Sequence, residues 1–188
     1  TIEEYVEENY KEPIVYDFEE VKAVGEHIEK YFGKYDNVMH ELVSPDIHID
    51  ICVIPPRKEH EYYTLVTMGM GAFKMPVPED DEYEDLKRAE LLVNLPSDWH
   101  LDRESLKEEK WYWPIRLLKY MARSPLNNDL YFCWGSTMEF DDIESFDDST
   151  KLCTAITLSP GVFGEPSYEC RLPNGEVVNF CLLYTSDA

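Results

Sequence analysis

The chain has 188 residues and a net charge of −22, with 17 Lys and Arg against 39 Asp and Glu. That sign of charge repels nucleic-acid phosphates and anionic membranes, where association runs on Lys and Arg, so both are excluded as partners; a basic protein partner fits it, and so does a role in solubility alone. Hydrophobic residues at 44% and aromatics at 13% supply a core, exclude a disordered chain, and with the length fit one domain over residues 1–188.

Residues Thr1–Glu8 are expected to form a short helix. A longer one is predicted from Asp17 to Phe32: Asp17 caps it, Glu20 completes a capping box, and Gly33 stops it. Phe18, Val21, Val24, Ile28 and Phe32 form its apolar stripe. Ile47, Ile49, Ile51 and Val53 alternate with His48, Asp50, Cys52 and Ile54, a strand that Pro55-Pro56 ends because proline has no N–H for the ladder. Tyr62–Met70 and Ala89–Leu95 read as strands. Pro76–Asp85 between them reads as a loop, stiff at its start and acidic at its end.

A second helix is predicted after Trp113, with Pro114 at its first position, Ile115, Leu118, Met121 and Ala122 on its apolar face, and Pro125 as its stop. Leu130–Trp134, Leu152–Leu158, Tyr168–Leu172 and Val177–Leu183 are the remaining strands. The last two flank Pro173-Asn174-Gly175-Glu176, a tight-hairpin signal because Asn and Gly tolerate positive φ. This order predicts an α+β fold, a mixed and largely antiparallel sheet with flanking helices.

No apolar run reaches the ~20 residues needed to span a bilayer. Thr1–Tyr5 lacks the basic and apolar regions of a signal peptide, and an opening Thr1 in place of Met is compatible with a missing initiator or leader. Five cysteines without CxxC spacing, three of them (Cys52, Cys133, Cys181) inside apolar runs, point to reduced thiols, no metal and a cytoplasmic location.

The sequence offers little chemistry. There is no Gly-x-Ser-x-Gly elbow around Ser136, no phosphate loop, and Met68-Gly69-Met70-Gly71 reads as a strand end turning into a loop. His48 and Asp50, two apart on a strand, project from one face and suit an acid–base pair or part of a metal site, or simply a polar face that neighbours satisfy; His27, His40, His60 and His100 stand at no ligand spacing from them. The acidic runs Glu79–Asp85 and Glu139–Asp148 lack the EF-hand pattern; Glu139–Asp148, with Phe and Ile among its acids, reads as a solvated loop with anchoring aromatics, with a docking surface for a basic partner as the alternative. Arg116, Lys119 and Arg123 share a helix face and are expected to pair with acids. Trp111-Tyr112-Trp113-Pro114 reads as an anchor of the helix on the sheet, with a ligand-stacking platform as the alternative. No catalytic or cofactor-binding residue is assigned. The expected partner-binding residues are Tyr83, Glu139, Phe140, Asp141, Asp142, Phe146, Asp147 and Asp148, where aromatics sit among acids.

Three blocks carry a family resemblance. Ile47–Pro56 with Tyr62–Met70 resembles the opening strands of suppressor-of-fused domains. Arg88-Ala89-Glu90-Leu91 with Leu95-Pro96-Ser97-Asp98-Trp99 is similar to a second block of that family, and Trp111–Lys119 with Trp134-Gly135 to a third. The similarity spans about residues 40–183 and looks like the bacterial branch. It implies a mixed α/β fold, no catalytic residues and a protein-binding role. Animal members of the family sequester a transcription factor by clasping a short extended peptide, and bacterial relatives are read as immunity proteins that neutralise a toxin domain. The chain ends at Tyr184-Thr-Ser-Asp-Ala188, where relatives run on, so a terminal element is expected to be missing; it also lacks the second, C-terminal region of animal members, which counts against the peptide-clasping mechanism. The leading expectation is an immunity-type inhibitor of a cationic, nuclease-like toxin domain. A peptide-binding adaptor using an exposed sheet edge comes next, and a hydrolytic or metal-dependent enzyme around His48 and Asp50 comes last.

Overall fold

Helix α1, Phe18–Tyr31, opens with the capping box in place: Asp17 accepts from the Glu20 N–H at 2.8 Å, and Glu20 accepts from the Asp17 N–H at 3.0 Å. Gly33, at φ 129°, carries the chain away from its end. The computed structural model describes residues 12–140 and 145–186, so the predicted Thr1–Glu8 helix lies outside the described residues. The apolar stripe of α1 differs from expectation. Val24, Ile28 and Phe32 are buried, but Phe18 is 79% exposed and Val21 43%, because among the described residues nothing covers them.

Eight strands follow: β1 (Asn37–Met39), β2 (Asp50–Ile54), β3 (Tyr62–Met68), β4 (Arg88–Pro96), β5 (Thr137–Glu139), β6 (Thr154–Leu158), β7 (Glu169–Arg171) and β8 (Val177–Ser186). They form one sheet in the order β1-β2-β3-β4-β8-β6-β5, with β7 also paired to β8. Every pairing is antiparallel except β4 with β8, where Leu91 lies opposite Cys181. The fold is the α+β arrangement expected. Asn174-Gly175 turns the β7–β8 hairpin with Gly175 at φ 87°, as the sequence predicts.

Period-two alternation sorts the apolar residues onto two faces of this sheet. Ile51, Val53, Leu65, Leu91, Val93 and Leu95 face helix α2, while Cys52, Ile54, Val66, Leu92, Val178 and Phe180 face α1. A helix layer on each face explains why β4 reads Glu-Leu-Leu-Val-Asn-Leu rather than alternating polar and apolar. The two clusters are thus the two sides of one sheet.

Helix α2 spans Glu109–Asn128 and so begins before Trp113 and runs through both prolines. Each proline removes one main-chain bond at a cost of ~3 kcal/mol or more. Burial of Trp113, Ile115, Leu117, Leu118, Met121 and Ala122 offsets this, since each large apolar side chain contributes ~1.5–3 kcal/mol. The helix stops at Asp129, in the left-handed region at φ 52°. Leu130–Trp134, predicted as a strand, is not one. Its buried Phe132 points its N–H at the Met75 sulfur, 3.5 Å away, instead of joining a ladder.

Candidate interaction surface

The first acidic run is displayed as expected. After Pro76 and Pro78 the chain winds into a 3-10 turn over Asp81–Leu86 with no buried residue. Tyr83 is half-buried, its ring meeting Tyr131 edge-on at 6.4 Å, and the charge of Glu82 raises its hydroxyl pKa.

The second run divides. Glu139 is exposed at the end of β5, and Phe140 is half-buried against Tyr120 and Phe146. Asp141 and Asp142 lie outside the described residues. Asp147 accepts from the N–H and hydroxyl of Ser149 at 2.8 and 2.5 Å; these bonds hold its carboxyl below the usual range, and Asp148 beside it is exposed. Phe146 corrects the expectation. It is 4% exposed and stacked on Trp113 at 5.4 Å, its N–H donates to the Leu152 carbonyl at 2.7 Å, and its own carbonyl accepts from Arg116 at 2.6 Å. A ring placed so is an anchor of the loop on α2 and presents nothing to a partner. Phe140 and Phe146 are thus brought together, while Tyr83 stands with Tyr131; among the described residues no ring contact joins the two groups.

His48 and Asp50 belong to a larger cluster than the sequence shows. Asp50 Oδ1 meets His48 Nε2 at 3.0 Å and the Glu41 N–H at 2.9 Å, and Oδ2 meets His40 Nδ1 at 2.9 Å. Ser44 Oγ stands 2.8 Å from both His48 Nδ1 and Glu41 Oε2. A Ser–His–Asp line results, but its serine is shared with a second carboxylate. Glu41 is in turn gripped from α2 by Arg123 at 2.6 Å and Lys119 at 3.6 Å. Burial alone would raise the Glu41 pKa; bonds from Arg123, Ser44 and the Ile49 N–H bring it below its ordinary value. The cluster pins the β1–β2 loop to α2, the bland alternative the sequence left open. Among the described residues no group of three or more His, Cys, Asp and Glu is arranged to hold a metal ion. Arg116 pairs with Glu109, so all three cations of that helix face meet acids, as expected.

A buried network passed unseen. Glu90 is fully buried and accepts from Tyr16 Oη (2.6 Å), Thr67 Oγ1 (2.6 Å), and the Gly69 and Gly71 N–H groups (3.0 and 3.1 Å). Burial pushes its pKa up, against the pull of those bonds. Met68-Gly69-Met70-Gly71 does turn a strand end into a loop, and its glycines are needed there. A Cβ on Gly69 would lie 2.1 Å from the His48 carbonyl oxygen, and one on Gly71 2.0 Å from Tyr16 Oη. Beside it Arg88 donates to Gly71 O at 2.8 Å and to Glu176 at 2.7 and 2.5 Å, and lies 3.3 Å from Glu20. Bonds from Lys74 and then Arg88 hold the Glu176 carboxyl down to about 2.

The tryptophan motif bears out its anchoring reading. Trp113 anchors α2, 6% exposed. Trp111 is half-buried with His100 stacked flat on it at 4.2 Å and Trp99 edge-on at 5.2 Å. The three tryptophans wall a cavity of 410 Å³. A second cavity of 480 Å³ adjoins at Trp99, and a third of 390 Å³ continues from Asn37 and Leu101 along β1. Sequence reasoning missed this line of cavities because β1 is three residues long, too short to show a period.

No helix among the described residues is long and apolar enough to cross a membrane. No curated protein matches the chain in sequence. Among solved structures it is similar to a suppressor-of-fused homologue from Neisseria gonorrhoeae, at 17% identity and a TM-score of 0.58, over 89% of this chain and 78% of that one. The Sufu–Fu complex matches at 13% identity and a TM-score of 0.58, over 94% of this chain and 77% of that one. Drosophila Suppressor of Fused matches at 15% identity and a TM-score of 0.58, over 90% of this chain but 42% of that one. At these identities the likeness is one of fold. The sequence profile of the suppressor of fused protein covers residues 45–185, three-quarters of the chain and all three blocks carrying the resemblance, and the chain belongs to that family.

Proposed function

We propose that this chain is a non-catalytic, protein-binding domain of the cytoplasm that acts as an immunity-type inhibitor, neutralising a cationic, nuclease-like toxin domain. The observation that carries the reading is the net charge of −22 together with an acidic run, Glu79–Asp85, that stands on the surface with no member buried. A nuclease holds phosphates with positive surface, and an acidic protein occupies such a surface by mimicry. A relative crystallised as a complex with Fu supports a protein partner in general terms.

The acidic surface acts chiefly on the association rate, which salt suppresses once charges are farther apart than ~8 Å at physiological ionic strength. The test is stopped-flow association with the nuclease domain of a toxin encoded beside this gene. Neutralising Glu82, Glu84, Asp147 and Asp148 together slows association at low salt and flattens its salt dependence. Unchanged association at low salt would overturn the reading and leave the acidity to solubility. The adaptor reading is favoured by one observation of its own, the cavities flanking the open edge of β1.

A further inference from the structure

The geometry points to the outer edge of β1 as a docking site for an extended segment of a partner protein, with an apolar side chain seated among Trp99, Trp111 and Trp113 and a basic side chain over Asp36 and Asp102. The inference rests on the protein-binding reading above, but not on the partner being a toxin.

Strand β1 ends the sheet, and among the described residues no main-chain bond is made on its outer side. Such an edge is a template for another strand. The 390 Å³ cavity touches Asn37, Val38 and Met39 in succession. Neighbours on a strand project to opposite faces, so one cavity touching all three runs along the edge and not over a face. Leu101 and Leu106 line it too, with Arg103 and with Lys107, which Glu104 pairs at 2.7 Å; it shares Asn37 and Leu101 with the cavity at Asp36 and Asp102, which in turn shares Trp99 with the tryptophan cavity.

The walls are already set. The Trp99 Nε1–H donates to the Trp111 carbonyl at 3.1 Å, Trp113 is held by Phe146, and His100 covers one face of Trp111. A preformed aromatic cup takes a large apolar side chain at low ordering cost. Between the β1 cavity and the tryptophan cavity, Asp36 is exposed at the wall. Asp102 accepts from the Ser105 hydroxyl at 2.6 Å, a bond that lowers its carboxyl below the usual range. Two carboxylates there call for a cation on the occupant. A second copy of this chain is a poor occupant, because two bodies of −22 repel one another.

The test pans the purified protein against a phage library of random dodecapeptides and measures the selected peptides by fluorescence polarisation. Enriched peptides are expected to share a large apolar residue and a nearby Lys or Arg. They slow amide exchange at Asn37–Met39 and move the indole N–H signals of Trp99 and Trp111. D36K, at an exposed site that does not threaten the fold, weakens them by about tenfold, while neutralising Glu82 and Glu84 alone leaves them unchanged. Three outcomes would overturn the proposal: no enrichment over a control protein, protection at Thr137–Glu139 or at 79–85 instead, or affinity indifferent to D36K. Failure of the inhibitor reading shows separately, in the toxin association assay.

Discussion

Replacing Glu90 separates two accounts of why a charged side chain is buried at the centre of this sheet. Three donors, Tyr16 O–H and the Gly69 and Gly71 N–H groups, converge on Oε1, while Oε2 meets only Thr67 Oγ1. In Glu90→Leu those three lose their acceptor, whereas Thr67 can turn its hydroxyl to the Leu91 carbonyl at 3.3 Å. At ~1–3 kcal/mol for each orphaned buried donor, with some relaxation, the loss comes to about 3–5 kcal/mol, a large part of the ~5–15 kcal/mol that holds a domain folded. Glu90→Gln behaves differently. Its oxygen keeps the three donors at Oε1, and its amide replaces Oε2, donating to Thr67 Oγ1, which also accepts from the Leu91 N–H at 2.8 Å. Gln also removes a buried charge, so its stability at pH 7 should match or exceed that of the parent, within about 1 kcal/mol. The sign with pH follows from the raised pKa. A carboxyl whose folded pKa exceeds its unfolded one contributes stability below the unfolded value, and that contribution is lost as pH rises through the folded value. The Gln variant therefore gains on the parent from about pH 4 upward. Urea unfolding followed by tryptophan fluorescence at pH 4 and pH 7 measures both effects. A Gln variant as damaged as the Leu variant would refute the donor accounting and show that the charge itself is required.

Phe146→Ala should cost about 3–4 kcal/mol of stability, the range for a core Phe, seen as a lower urea midpoint; a variant as stable as the parent would return Phe146 to the surface. Burial pushes Cys52 and Cys181 to about 12 and Cys170 to about 11. A thiol reagent at pH 8 should therefore modify only the half-buried Cys133 and Cys153 in the native protein and all five after denaturation. Glu176→Gln should destabilise by about 1–2 kcal/mol at pH 7, since a third of the side chain is in water and solvent screens the pair. The folded carboxyl lies below its unfolded value, so this stability is present above about pH 4.5 and disappears as pH falls toward 2; a difference from the parent that persists at pH 2 would point to lost packing instead.

What the sequence made legible was whatever has a local cause. The capping box, the Pro55 stop and the Asn-Gly hairpin each act within a few residues, and each is found where the sequence puts it. The alternating isoleucines all enter one core cluster, but the strand itself begins only at Asp50, with Ile47 making a lone bridge to Ile14. The errors have non-local causes. Proline was read as a helix boundary, but tertiary burial holds α2 through both. Acidic neighbours leave Phe146 open as a partner contact or as an anchor of its loop, and only its stacking on Trp113, far away in sequence, decides for the anchor. The Glu90 site joins residues 16, 67, 69, 71 and 90, and its one sequence trace was the pair Gly69 and Gly71.

The cations show how a chain this acidic keeps its fold. Arg88 joins β4 to Glu176 in the β7–β8 turn and to Glu20 on α1. Arg123 joins α2 to Glu41 and Asp46 in the loop before β2. These residues lie at junctions between elements distant in sequence, and both guanidinium side chains are largely withdrawn from water, at 8% and 16% exposure. A guanidinium suits such a place because its planar fork serves several acceptors at once. These two guanidinium groups therefore sit where they tie the layers together. Changing an exposed Asp or Glu should alter encounter with partners and leave stability nearly untouched, while changing Arg88 or Arg123 strands half-buried carboxylates. The two kinds of variant are consequently the means to tell whether the acidity serves a partner or only the solubility of the fold.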